Sequence, residues 1–254
     1  MKFVCLKKKD VKMFFIILLV AIVLSLNFMG GTSAMVYFNQ TPRLVPIYNV
    51  ETDEKKVAIS FDSAWGADKT LKILDVLKQY NSRGTFFLVG FWVEKYGDMV
   101  KAIKEAGIEI GTHSNTHPDF VNLSAEQMKL ELTSSMEKIQ NITGDPVKLF
   151  RAPYGSYNNT LLNLTDELGL KTIQWNIDTL DWKGLSGTQM LNRVLNKICN
   201  GSIILCHNNS DNIIEGLTLI LDKLTSMGYS VVSVGELILQ DNYYIDSCGV
   251  QRKK

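Results

Sequence analysis

The sequence is short of several residues that would point to common functions. Its 254 residues carry a net charge of only +1, with no excess of either sign. A polyanion binder shows a basic excess or basic stripes, so no nucleic acid partner is expected. Four cysteines are present (Cys5, Cys199, Cys206, Cys248), none in a CxxC spacing. Buried or free thiols are therefore the expectation, with a Cys199–Cys248 disulfide open but unsupported. No glycine-rich loop follows the first predicted strand, which removes the case for nucleotide binding. No repeat at a fixed period and no low-complexity tract is found, and a hydrophobic content of 46% excludes global disorder. Histidine is the scarcest informative residue, with only three in the chain.

The first residues stand apart. Lys2, Lys7, Lys8, Lys9 and Lys12 precede an apolar run from Met13 to Met29. That run, about 17 residues, sits at the lower end of what a membrane-spanning helix needs. With lysines on one flank only, and the next positive charge at Arg43, the chain after residue 30 is expected outside the cytoplasm. A signal peptide cleaved near Ala34, after Thr32 and Ser33, competes evenly with a transmembrane anchor. The protein is thus expected at the cell membrane with an extracytoplasmic domain, or secreted. Residues 1–30 form the lysine-flanked segment, 31–54 a linker, 55–240 one folded domain and 241–254 a tail.

From Val57 onward, short apolar runs alternate with amphipathic stretches. Strands are predicted at Val57–Phe61, Thr85–Val89, Ile108–Ile110, Val147–Phe150, Thr172–Ile177, Ser202–Cys206 and Ser230–Val234. Helices are predicted at Lys69–Tyr80, Met99–Ala106, Asn159–Leu168, near Thr188–Ile198 and at Gly216–Met227. Another runs to about Ile139, behind a capping box of Ser124 and Gln127. Repeated strand–helix alternation implies right-handed crossovers and a parallel sheet. Seven to eight units in this length predict an α/β protein with a distorted or incomplete (β/α) barrel; a doubly wound open sheet is the alternative.

All three histidines fall at or just after a predicted strand end: His113, His117 and His207. Asp62 ends the first strand, Arg151 the fourth, and Asp178 and Asp181 follow the fifth. In a parallel barrel these positions crowd onto the face where active sites are built. Each residue alone has a bland reading. Asp62 suits a helix N-cap, and His113 and His117 suit a satisfied surface pair. Arg151 suits a fold-stabilising partner for a carboxylate, and Tyr154 and Trp182 suit ordinary packing. Two imidazoles four apart also suit zinc, either on one helical turn or, given Pro118, in a loop. A guanidinium at a strand end can clamp a carboxylate bidentately. A carboxylate beside His207 would raise its pKa.

Five segments occur in order: Ser60-Phe61-Asp62, His113-Ser114-Asn115-Thr116-His117-Pro118, Arg151-Ala152-Pro153-Tyr154, Asp178-Thr179-Leu180-Asp181-Trp182 and Leu205-Cys206-His207. Together with Thr85-Phe86-Phe87 they resemble the motifs of the polysaccharide deacetylases, the NodB-like family, over roughly Val57 to Leu239. The resemblance implies hydrolysis of N-acetyl groups from a cell-wall polysaccharide. It implies Asp62 as base, His113 and His117 as ligands of a divalent metal, usually zinc, and Arg151 as the group that orients Asp62. It also implies the Tyr154 N–H at the oxyanion, Asp181 tuning His207 as the acid, and Trp182 and Leu205 around the acetyl methyl. The sequence departs from the family at Ser63, where a second aspartate usually supplies the third metal ligand. The phrase Phe61-Asp62-Ser63-Ala64-Trp65-Gly66 is similar to sporulation-type members, which points to peptidoglycan. A catalytically weak wall-binding homologue and a chitin-oligosaccharide deacetylase are the alternatives.

Overall fold

The computed structural model describes residues 8–38 and 42–254, without the side chains of residues 8, 10 and 26–38. It contains two compact units, the first ending at Arg43 and the second spanning Leu44–Lys254. The first is a helix, Lys8–Phe38, with large apolar side chains such as Phe14, Ile17 and Leu19 exposed. Among the described residues no helix is long and apolar enough to cross a membrane. The apolar run expected to do so continues to Met29, and its side chains from residue 26 lie outside the described set, as do Lys2, Lys7 and the side chain of Ala34.

The second unit holds eleven strands: β1 (Asn49–Val50), β2 (Lys56–Ser63), β3 (Thr85–Leu88), β4 (Glu109–Thr112), β5 (Leu149–Phe150), β6 (Lys171–Thr172), β7 (Ile177–Asp178), β8 (Ile203–His207), β9 (Ser230–Val232), β10 (Tyr243–Ile245) and β11 (Val250–Lys253). Seven form one sheet in the order β6-β5-β4-β3-β2-β8-β7, and β9 joins the start of β2. Every pair in it is parallel. Among the described residues β6 and β7 do not pair with each other, so the barrel stays incomplete.

Helices cover one face of this sheet, which rules out the doubly wound alternative. The outer cluster joins Ile59, Phe61, Phe86, Leu88, Ile204 and Cys206 to helical side chains such as Leu77, Trp92, Leu132 and Leu217. The inner cluster is small and built mainly from strands and loops, with Ala58, Phe87, Ile173 and Ile203 among its members. Side chains alternate along a strand, so the inner face of β2 reads Ala58, Ser60, Asp62. Its register partners on β8 are Ile203, Leu205 and His207. Two neighbouring strands therefore end with Asp62 and His207 side by side on one face.

Local chemistry sets several boundaries. The helix Ala125–Thr143 starts at the expected capping box, with Ser124 Oγ accepting from Gln127 N and Gln127 Oε1 accepting from Ser124 N. The helix Gly90–Lys95, absent from the sequence reading, begins at a glycine where a Cβ would collide with Asn115. The single strand expected over Thr172–Ile177 is instead two short strands separated by residues 173–176. In the linker and tail segments, β1, β10 and β11 form a separate three-stranded sheet.

Candidate active site

The strand ends open onto a cleft of about 780 Å³ lined by Asp62, His113, His117, Tyr154, Asp181 and His207, with Trp182 and Leu205 among the walls. The strand-end residues singled out from the sequence thus meet in one place. Arg151 lies behind the cleft and is completely buried. Its Nη1 donates to Asp62 Oδ1 at 2.8 Å. Nη2 donates to the Gln174 carbonyl at 3.1 Å and Nε to that of Ile173 at 3.4 Å. The guanidinium also lies 4.2 Å from the Phe87 ring centroid. The expected two-pronged clamp is therefore one-pronged, because the remaining donors satisfy backbone carbonyls in the stretch that splits β6 from β7.

Burial alone would raise the Asp62 pKa. The Arg151 guanidinium outweighs it, with help from His113 and His207, and holds the carboxyl below its ordinary value. His113 is buried too, with Nδ1 2.8 Å from the Arg151 carbonyl oxygen. A carbonyl only accepts, so Nδ1 carries a proton, and Nε2 lies 3.5 Å from Asp62 Oδ2. Burial lowers the His113 pKa, against the pull of Asp62. The His117 pKa is pushed down to about 4 by burial and by His113. The His-x-x-x-His segment is a loop: His117 has φ 61° and its N–H donates to Ser114 Oγ at 2.9 Å.

His207 behaves in the opposite way. Burial would lower its pKa, but Asp181, which accepts from Nδ1 at 2.8 Å, raises it. Asp181 also accepts from the His207 N–H at 2.7 Å, the Ser210 hydroxyl at 2.7 Å and the Trp182 N–H at 3.0 Å. Four donors fix this carboxylate and, through it, the ring. The cleft thus joins a carboxylate whose pKa is lowered to an imidazole whose pKa is raised, the direction of tuning that a base and an acid require.

Backbone strain gathers here. Of the non-glycine residues with positive φ, Ser114 (73°), His117 (61°), Tyr154 (60°) and Leu180 (52°) all adjoin the cleft. Such conformations persist where the surroundings enforce them, and they cluster at functional sites. The sequence reading missed Trp65, Trp175 and the run Asn208-Asn209-Ser210-Asp211, all of which line the cleft. The polar run directly after a strand-end histidine was the available signal for the last group.

A family model described as polysaccharide deacetylase matches residues 49–173. The chain is 31% identical over 204 residues to the peptidoglycan-N-acetylmuramic acid deacetylase PdaA of Bacillus subtilis (strain 168), covering 79% of this chain and 78% of that protein. The chain belongs to the polysaccharide deacetylase family. It is also 34% identical over 172 residues to the peptidoglycan-N-acetylglucosamine deacetylase of Bacillus cereus, covering 68% of this chain and 62% of that one. The chain thus spans about three fifths of that relative's length. The crystal structure of a CE4 family pseudoenzyme from Bacillus anthracis superposes with a TM-score of 0.74 at 34% identity, covering 78% of this chain and 70% of that one.

The metal implied by the family resemblance finds only part of its donor set. His113 and His117 supply two imidazoles, and the Nδ1 of His117 is buried without a partner. The third ligand, a carboxylate, is missing. Ser63 is fully buried with an unpaired hydroxyl and does not line the cleft. Among the described residues no three His, Cys, Asp or Glu side chains form a group able to hold a metal ion. Cys199 and Cys248 are both free.

Proposed function

We propose that the chain hydrolyses N-acetyl groups from the amino sugars of a cell-wall polysaccharide, with peptidoglycan as the polymer. The observation that carries this is the pairing of Asp62 with His207. They are register partners on adjacent parallel strands, about 4.8 Å apart in the pairing direction, one with its pKa lowered and the other with its pKa raised. Amide hydrolysis needs both functions. Asp62 takes a proton from the attacking water as its oxygen bonds to the acetyl carbon. His207 delivers a proton to the departing nitrogen, so acetate and a free amine leave. The Tyr154 N–H is assigned to the oxyanion, and Trp182 and Leu205 to the acetyl methyl. Arg151 keeps Asp62 charged and fixed, and Asp181 does the same for His207.

A divalent metal, zinc by ligand type, would supply Lewis-acid polarisation of water and carbonyl, with His113 and His117 as its protein ligands. Residue 63 does not complete that set, so the steps above rest on the chain's own groups. The lysine-flanked apolar run supports export, with the domain held at the outer face of the membrane or released after cleavage near Ala34.

The incomplete ligand set and the resemblance to a pseudoenzyme structure favour a second reading, wall binding without turnover. Acetate release from peptidoglycan fragments, measured after chelation and after adding zinc back, separates the two. Release that disappears in Asp62→Asn supports the hydrolase. A folded protein that releases none with any divalent metal supports the binding reading.

A further inference from the structure

Trp65 follows Asp62 by three residues and is 67% exposed, an unusual state for an indole beside a cleft. Its placement is nevertheless fixed. Behind it, the Gly66 carbonyl accepts from Trp92 Nε1 at 2.7 Å and from Asn208 Nδ2 at 2.9 Å. Trp92 and Asn208 are themselves buried. Gly66 has φ +69°, and a Cβ there would collide with the side-chain amide of Asn209, so only glycine fits without strain. The ring is buttressed by Phe91 (centroids 6.4 Å apart) and, edge-on, by His117 (5.0 Å). The fold thus spends buried hydrogen bonds on a rigid loop whose product is an outward-facing indole.

That indole is offset from the reacting groups. It shares His117 with Tyr154, whose ring packs edge-on against the same imidazole with centroids 4.8 Å apart. Trp182, in the loop after β7, and Leu205, on β8 two residues before His207, stand beyond β2 in the sheet order. Asp62 and His207 therefore sit between two exposed indoles. A cleft of about 780 Å³ is near the upper end of the ~300–1,000 Å³ typical of small-molecule sites, and exceeds what one hexosamine fills.

We propose that Trp65 is a stacking platform for the sugar next to the one whose acetyl group is removed, so that the site selects a glycan chain over a single N-acetylated sugar. The apolar C–H face of a pyranose matches the electron-rich face of an indole, and a rigid ring loses little entropy on binding. The ligand class rests on the hydrolase reading given above; the platform itself rests on the geometry of the loop.

Calorimetry on the full chain in detergent tests it, with a peptidoglycan tetrasaccharide and N-acetylglucosamine as probes. Trp65→Ala is expected to weaken tetrasaccharide binding about tenfold, Trp65→Phe by less, and neither to alter monosaccharide binding. Unchanged melting temperatures establish that both variants fold, because the side chain is exposed. An unchanged tetrasaccharide affinity, or equal loss for both probes, overturns the proposal, as does a wild-type chain that binds no tetrasaccharide. Binding that depends on Trp65 in a protein that releases no acetate upholds the platform while removing the hydrolase reading.

Discussion

Replacing Arg151 by methionine is the sharpest perturbation of the site that leaves its shape intact. Arg151 is fully buried, and its Nη1 neutralises the buried Asp62 at 2.8 Å. Removing one member of a buried pair leaves an uncompensated charge and costs about 3–5 kcal/mol. The carbonyls of Ile173 and Gln174 also lose a donor. At roughly 2–4 °C per kcal/mol for a domain of this size, the melting temperature should fall by about 6–20 °C at neutral pH. The pH dependence has a definite sign. In the wild type, the lowered Asp62 pKa contributes stability above the unfolded carboxyl value, lost as pH falls through the folded one. In Arg151→Met, burial is opposed only by the weaker pull of His113 and His207 and the folded pKa rises, so ionisation now destabilises. The gap between the two proteins should be wide at neutral pH and close as pH falls toward about 4, the ordinary aspartate range. Thermal unfolding across that window checks it, with Asp62→Asn/Arg151→Met recovering part of the loss. A penalty under about 1 kcal/mol, or one independent of pH, would refute the view that Arg151 exists to hold Asp62 ionised.

Three further outcomes are expected. Asp181→Asn removes the cause of the raised His207 pKa, so the alkaline limb of the acetate-release profile should move to lower pH and the rate at neutral pH should fall. An unmoved limb would assign it to another group. Ser63→Asp should raise zinc affinity at least tenfold by competition titration, because it adds the carboxylate that His113 and His117 lack. Equal affinities would show that residue 63 cannot reach the site. Gly66→Ala, forced into positive φ against Asn209, should cost roughly 1–2 kcal/mol in denaturant unfolding, and a neutral effect would show the Trp65 loop to be pliable.

Much of this architecture was legible in the sequence. The short apolar runs and the amphipathic stretches between them placed the main strands and helices, because the strands are covered on both faces and each helix buries one side. Asp62, Arg151, Asp181 and His207 were found because strand ends of a parallel barrel share one face. What stayed hidden depends on partners far away in the chain. The break after Thr172 depends on carbonyls that Arg151 needs. The display of Trp65 depends on Asn208 and Asn209, more than a hundred residues later. Likewise, the short helix at Gly90 starts where close approach to Asn115 demands a glycine, which local propensity penalises.

The most direct test is to count free amino sugars, by mass spectrometry, in peptidoglycan incubated with the wild-type chain, with Asp62→Asn and with His207→Ala. The account predicts deacetylated sugars with the wild type and none above background with either variant, while all three proteins stay folded. Equal deacetylation by His207→Ala and the wild type would contradict the assignment of base and acid to this pair.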